Sequence, residues 1–343
     1  MQRYEGGKLA PRARIALLAN DALGNFAVTS PVGQMLKSHH APCEVHCYTG
    51  TRVMELATLC PWYDRVIAAY GMNPRELAAQ VVSEDPYDLV VNVENSAWAK
   101  SLAALLAGQN GFVVGPCANR DGRGDLAYSK TPQDRLWADP HWISPDINIR
   151  YPFLKTSHIS EIFARGCHLD GAIPPYNLPS EPADISLPDV LIATTASLPE
   201  KLWPIDNWIQ LVQHLKSQGL VVGLLGAKPK EQAHFWHGAD EETRIVTEGE
   251  ATDLRGELTL PQVVWALGNT STVITLDNGI LHFACSTGTP TLGLFRNGIH
   301  RLWAPPVPNL KVIEPGPGRS VNEISLEIVI KTLNDFQVRL AYY

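Results

Sequence analysis

The 343-residue chain has no surplus of positive charge: 28 Lys and Arg stand against 35 Asp and Glu, for a formal net charge of −7. A nucleic-acid binder ordinarily carries a basic stripe or surplus, so no nucleic-acid partner is expected. Cysteine is sparse and scattered, at positions 43, 47, 60, 117, 167 and 285. That pattern argues against a disulfide framework and suits a reducing cytoplasm. Cys43 and Cys47 flank a strand-like Glu-Val-His with no second pair nearby. They read as two strand-end thiols rather than a metal site. Long apolar runs are missing as well. The N-terminal MQRYEGGKLAPRAR is polar, and the run that follows at 15–19 is too short for a signal peptide or a membrane span. The expectation is a soluble, cytoplasmic protein, with transient contact to the inner membrane face left open.

What the chain does have is apolar mass. Hydrophobic residues make up 45% of it, enough for two cores of ordinary size. Strand-like and helix-like segments alternate through the first third. RIALLA (14–19), EVHCYT (44–49), RVIAAY (65–70), DLVVNVE (88–94) and GFVVGP (111–116) read as strands, with helical stretches at 25–39, 73–84 and 96–108 between them. Such alternation indicates βαβ units on a parallel sheet. The pattern blurs from 117 to 170, where turn residues surround Trp137 and Trp142, and 157–171 reads as one more helix. Residues 173–189 hold five prolines and no apolar period, which reads as an extended linker. The alternation then restarts, with strands at 190–195, 220–226, 272–277 and 291–295 and helices at 206–219, 260–269 and 321–340. Two similar α/β halves suggest a crevice between them, with ligands at the carboxyl ends of the strands.

Three loops at such strand ends carry candidate chemistry. In TVITLDNGILHFACSTGTPTLGLF (272–295) a buried strand stops at Asp277, Asn278 and Gly279, and His282 follows one helical turn later. The free backbone N–H groups of a helix start make an anion site, and Gly279 permits close approach of a phosphate. A capped helix with a satisfied core histidine explains the same spacing equally well. In ATTASLPEKLWPIDNW (193–208) the strand ends at Thr194 and Thr195 and the loop carries Lys201, a point charge suited to phosphate but also an ordinary surface lysine. After VVGLLG comes AKPKEQ, whose Glu231 is placed either to accept hydrogen bonds from a ribose diol or simply to open a helix.

Taken in order, these pieces resemble glycosyltransferase family 9, the heptosyltransferases of lipopolysaccharide biosynthesis and their relatives. The C-terminal half matches through ATTASLPEKLWPIDNWIQLVQHLKSQG, LLGAKPKEQ, LRGELTLPQVVWALGN and ITLDNGILHFACSTGTPTLGLF. The N-terminal half matches through RIALLANDALGNFAVTSPVGQMLK and YDLVVNVENSAWAKSLAALLAG. The resemblance weakens between about 117 and 185. It implies an α/β, GT-B fold of two Rossmann-like domains facing a central cleft: an acceptor domain at 1–172, the linker at 173–189, and a nucleotide-sugar domain at 190–320. It also implies that the terminal helix, 321–340, packs back on the N-terminal domain. The implied activity is inverting, metal-independent transfer of a heptose-like sugar from a nucleotide diphosphate sugar, ADP-linked by family default. No separate cofactor is implied. Lys201 matches the family lysine at the donor phosphate and Glu231 the ribose carboxylate. Asp277, Asn278, Gly279 and His282 match the phosphate motif, with Asn278 in place of the usual hydroxyl residue. Thr194 and Thr195 lie at the same donor site. The chain has no Asp-x-Asp, which agrees with a metal-free mechanism.

One departure matters most. The family's base is an aspartate in Leu/Met-Gly-Asp, and here Leu23, Gly24 and Asn25 stand at that motif. An amide cannot take the acceptor's proton. Either Asp21 or Glu94 replaces the lost base, or the protein binds a nucleotide sugar silently, or it is a GT-B epimerase acting on the donor alone; the asparagine could also be an introduced change. Asp21 has a plain reading as a loop cap, and Glu94 as a buried acid paired with Lys100. The acceptor is a glycan, a lipid-linked glycan or a small molecule. The near-balanced charge of the N-terminal half favours a neutral one. Trp98, Trp137 and Trp142 are candidates to stack on it, or are core.

Overall fold

Each half of the chain forms a six-stranded, wholly parallel sheet. The computed structural model describes residues 1–228, 231, 237, 238 and 241–340, the last four of these by backbone alone. The first sheet comprises β1 (Gln2–Arg3), β2 (Ala13–Leu18), β3 (Cys43–Gly50), β4 (Arg65–Tyr70), β5 (Leu89–Asn92) and β6 (Phe112–Val114), in spatial order β1-β6-β5-β2-β3-β4. The second comprises β7 (Val190–Ala193), β8 (Val222–Leu224), β9 (Thr252–Asp253), β10 (Thr272–Leu276), β11 (Thr291–Leu294) and β12 (Leu310–Ile313), in order β12-β11-β10-β7-β8-β9. The central strands are continuous apolar runs because helices cover a parallel sheet on both faces. The nine expected strands are present. The short edge strands β1, β9 and β12 are additional, and their two to four residues carry no pattern that sequence reading detects.

Chain order reverses once in each sheet. In the first sheet this happens between β2 and β5, and in the second between β7 and β10. A crevice opens outside the carboxyl ends of the strands at such a switch point. The segments that follow β2 and β5 carry Asn20–Asn25 and Glu94; those that follow β7 and β10 carry Thr194–Lys201 and Asp277–His282.

The longer helices are α1 (Leu23–His40), α2 (Pro74–Val82), α3 (Ala97–Ala107), α4 (Ile205–Ser217), α5 (Leu260–Asn269), α6 (Gly279–Thr287) and α7 (Leu326–Leu340). Several of their ends are chemically marked. Ser96 caps α3, and Thr259 with Gln262 forms a capping box on α5. Gly288, with φ +82°, ends α6 in the left-handed region that favours glycine.

The chain divides into two units, Met1–Asn177 and Leu178–Tyr343. The division falls inside the expected linker, 173–189, and both ends of that segment are fastened. Ser30 Oγ donates to the Tyr176 carbonyl (3.1 Å) and Gln34 Nε2 to that of Pro175 (2.9 Å), fastening its start to α1. The Glu181 N–H donates to the Pro261 carbonyl (3.1 Å) and Thr270 Oγ1 to that of Pro188 (2.9 Å), fastening its end to the second unit.

The last element is the terminal helix. It begins at Leu326, after a 3-10 turn at Val321–Glu323. Its Val329 and Leu333 join the core of the second unit with Trp208 and Leu211. Trp203 Nε1 donates to the Ile324 carbonyl (2.7 Å), tying the same segment to the loop before α4. Trp137 and Trp142 are core residues. Both are buried, packed edge-on at 4.9 Å and against Phe163, and Trp137 donates to the Gly166 carbonyl (2.9 Å). All six cysteines are buried and free.

Candidate functional site

In the second unit, neighbouring parallel strands deliver the candidate donor residues to one sheet end. Asp277 follows β10 and is buried; Lys201 sits on the 3-10 turn Pro199–Lys201 that follows β7. Lys201 Nζ lies 2.8 Å from Asp277 Oδ2, the two side chains being 13% and 5% exposed, and also donates to the Asp277 carbonyl at 3.2 Å. Lysine and aspartate thus form a shielded ion pair at the strand end.

Asn278 is the N-cap of α6. Its Oδ1 accepts from the Leu281 N–H (3.3 Å) and from Thr275 Oγ1 (3.1 Å), and its Nδ2 donates to the Thr195 carbonyl (3.0 Å). An amide both accepts and donates, so this side chain caps the helix and also stitches the β10 loop to the β7 loop. A hydroxyl at this position has a single proton to donate. The Gly279 and Ile280 N–H groups, at the first two helical positions, have no partner within the helix, and the helix dipole adds positive potential there. His282 is buried one turn further. Burial, with Lys201 nearby, pushes its pKa down to about 3, so its ring is neutral at ordinary pH.

Thr194 is committed elsewhere. Its hydroxyl donates to the carboxylate of Glu242, a buried acid 3.7 Å from Arg255 Nη1. Arg255 pairs in turn with Asp253 at 2.8 Å. This set, buried at Thr194, Glu242 and Arg255, braces the strand end, and sequence reading passed over it because Thr194 lies far from the others along the chain. Glu231, beyond β8, is exposed and helical, its N–H donating to the Lys228 carbonyl (2.9 Å). Its neighbours at 229–230 and 232–236 lie outside the described residues. A further cation, Arg296, follows β11 directly and was not singled out from the sequence; its Nη1 lies 3.2 Å from Glu200 Oε1.

In the first unit, the loop after β2 carries Asn20 and Asp21. Asp21 is held fast: Oδ2 is 2.8 Å from Arg52 Nε and Oδ1 accepts from the Arg52 N–H at 3.2 Å. Asp21 also fills the space above Gly50, where an added Cβ would lie 1.8 Å from Oδ1. Glu94 stands on the turn after β5. The Asn92 amide shapes that turn, accepting from the Glu94 N–H (2.9 Å) and donating to the Glu94 carbonyl (2.9 Å). The Glu94 carboxyl is pushed up by burial, opposed in part by a hydrogen bond from Asn20. Lys100 is not its partner, because Lys100 pairs with Asp125 at 2.7 Å. Tyr70, at the end of β4, packs on Trp98 with ring centroids 4.5 Å apart. Burial, then Glu94 and Asp21, raise the Tyr70 phenol. Gly24 and Asn25 lie in the first turn of α1, half-buried, and the Asn25 carbonyl accepts from Thr29 Oγ1 (2.7 Å).

Among the described residues, no group of three or more His, Cys, Asp or Glu side chains is placed to hold a metal ion. Nor is any described helix long and apolar enough to cross a membrane.

Residues 175–319 match the family model of glycosyltransferase family 9 (heptosyltransferase). Lipooligosaccharide heptosyltransferase 2 of Haemophilus influenzae is 28% identical over 99 residues, a stretch that spans 28% of this chain and 28% of that enzyme. The fold is similar to that of a family 9 glycosyltransferase from Veillonella parvula, with a TM-score of 0.71 at 16% identity over 95% of this chain and 97% of that one. It is also similar to that of the E. coli ADP-heptose LPS heptosyltransferase II, with a TM-score of 0.67 at 16% identity over 96% of this chain and 99% of that one. The resemblance read from the motifs is thereby borne out, and the α/β GT-B fold extends through both units. At 16% identity these two structures carry the fold alone.

Proposed function

Taking the family 9 match of residues 175–319 as premise, we propose that the protein is a glycosyltransferase. It moves a heptose-like sugar from an ADP-linked donor to an acceptor hydroxyl, with inversion and without a metal. One observation carries this reading: Lys201, Asp277 and the start of α6 converge at the switch point of the second sheet. That is where an anion is stabilised in such a sheet. As the bond from the anomeric carbon to the diphosphate oxygen breaks, negative charge builds on the departing diphosphate. The Lys201 ammonium and the Gly279 and Ile280 N–H groups are donors already aimed at that charge, which is usually the largest catalytic contribution. His282 contributes as a neutral ring. Glu231 remains the candidate for the ribose diol.

Inversion needs a base for the acceptor proton, and Asn25 is not one. Of the two candidate carboxylates, Asp21 is committed to Arg52, whereas Glu94 is half-buried with a raised pKa. Glu94 is the base in this reading. It takes the hydroxyl proton as the acceptor oxygen bonds to the anomeric carbon. Trp98, half-buried beside Tyr70, offers a face to the acceptor ring. The acceptor is a glycan, free or lipid-linked, or a small hydroxylic molecule; a lipid-linked one would bring the protein to the membrane surface. Asn25 favours a second reading, a silent nucleotide-sugar binder.

The test is incubation with ADP-heptose and a panel of hydroxylic acceptors, with and without EDTA, followed by mass spectrometry. Acceptor mass gain that persists in EDTA is the expected result. Tight ADP-heptose binding without acceptor gain selects the silent binder, and an isomerised donor selects an epimerase. Absence of ADP binding overturns the donor assignment.

A further inference from the structure

Diphosphate is a multiply charged anion, yet the charges at the second sheet end nearly cancel. Asp277 balances Lys201 at 2.8 Å, and the buried His282 is neutral. The adjacent strand carries another cation. β10 and β11 run parallel with Leu276 level with Leu294, and the Asp277 N–H donates to the Leu294 carbonyl (3.2 Å). Arg296 is therefore two residues beyond Leu294, on the loop beside the start of α6. Its Nη1 lies 3.2 Å from Oε1 of Glu200, the residue next to Lys201. Its Nε is buried and has no hydrogen-bond partner among the described residues. A buried guanidinium N–H without an acceptor is costly, and this one lies on a fork shaped for paired phosphate oxygens. Glu200 is 49% exposed, a rim carboxylate whose pairing to Arg296 is screened and weak.

We propose that Arg296 is a second cation of the diphosphate site, held by Glu200 in the unliganded protein and handed to the donor phosphates on binding. This rests on the reading that the Lys201 and Gly279 end of the sheet takes a nucleoside diphosphate. The two partners have opposite signs of effect. Arg296 attracts the phosphates directly. Glu200 competes with them for Arg296 and repels them.

The experiment is calorimetric titration of the full chain with ADP, with adenosine as the phosphate-free control. Arg296→Gln weakens ADP binding by about tenfold or more, a charge-assisted contact being stronger than a neutral one. Arg296→Lys, which keeps the charge and loses the fork, falls between. Glu200→Gln tightens ADP binding a few-fold, and none of the three changes adenosine binding. The Glu200 arm guards against a fold defect, since a damaged site does not bind more tightly. Unchanged or weaker ADP binding in Glu200→Gln, or unchanged binding in Arg296→Gln, overturns the proposal. Lys201→Ala separates the premise from the inference. If wild type binds ADP and Lys201→Ala does not, the donor site stands and only the Arg296 role is in question. If wild type binds no ADP, both fall.

Discussion

At the residue scale, the chemistry turns on which carboxylate is free to work. In the sequence Asp21 and Glu94 are both candidate carboxylates, Asp21 on the loop after one strand and Glu94 at the end of another. Packing separates them. Arg52 and the space above Gly50 immobilise Asp21, while Glu94 keeps a half-buried carboxyl with a raised pKa. If Glu94 is the base, Glu94→Gln lowers kcat by roughly 10²–10⁴-fold, the usual weight of a positioned general base, and leaves ADP affinity unchanged. Asp21→Asn has the smaller effect. The base works only when ionised. Its raised pKa therefore moves the acid limb of the rate profile above the ordinary glutamate range, with activity falling as pH drops through it. A pH–rate profile of wild type and both variants checks this, and wild-type rates in Glu94→Gln rule Glu94 out. Asn278 makes the complementary point. As a letter it reads as a lost hydroxyl. In the fold its amide caps α6 and holds the Thr195 carbonyl, a tie that requires knowing that β7 and β10 are neighbours.

At the element scale, most strands and helices were legible because their periods are strong and their ends are marked. Ser96, Thr259 with Gln262, and Gly288 all sit where capping chemistry puts them. The path of α7 was not legible. Its amphipathic stripe states that one face must be buried but not against what. The structure buries Val329 and Leu333 with Trp208 of α4. Accordingly, Leu333→Ala destabilises the second unit by about 2–5 kcal/mol, the range for removing a buried leucine side chain. Urea unfolding followed by tryptophan fluorescence reads this, Trp203 and Trp208 lying in that core. Trp62, Trp98, Trp137 and Trp142 of the first unit report separately, as the wild-type transition that Leu333→Ala leaves in place. An unchanged midpoint for the second unit would detach α7 from its core.

At the scale of the whole molecule, two buried histidines link stability to pH. Burial, with His39 and Lys8 nearby, lowers His40 to about 4, and His282 is lowered to about 3. Each is neutral when folded and regains an ordinary pKa near 6.5 when unfolded, so the unfolded chain binds the extra protons. Their stabilising contribution is complete above about pH 6.5. It is lost as pH falls toward about 4 for His40 and about 3 for His282, at up to ~1.4 kcal/mol per pH unit each. One histidine lies in each unit, so both should show a lower urea midpoint at pH 5 than at pH 7. A flat profile would contradict the burial of these rings.

The division between chain and fold is physical. Local periodicity, turn chemistry and motif order are properties of neighbouring residues. They were sufficient on their own for two α/β halves, the strand ends that matter, and the family resemblance through Lys201 and the Asp277–His282 run. Pairing between distant residues is a property of the folded chain. It alone placed Lys201 on Asp277, Asp21 on Arg52, Lys100 on Asp125, Thr194 on Glu242 and Glu200 beside Arg296. A charge in the sequence is only a charge. Whether it is consumed by a neighbour or left for a substrate depends on which strands the sheet sets side by side.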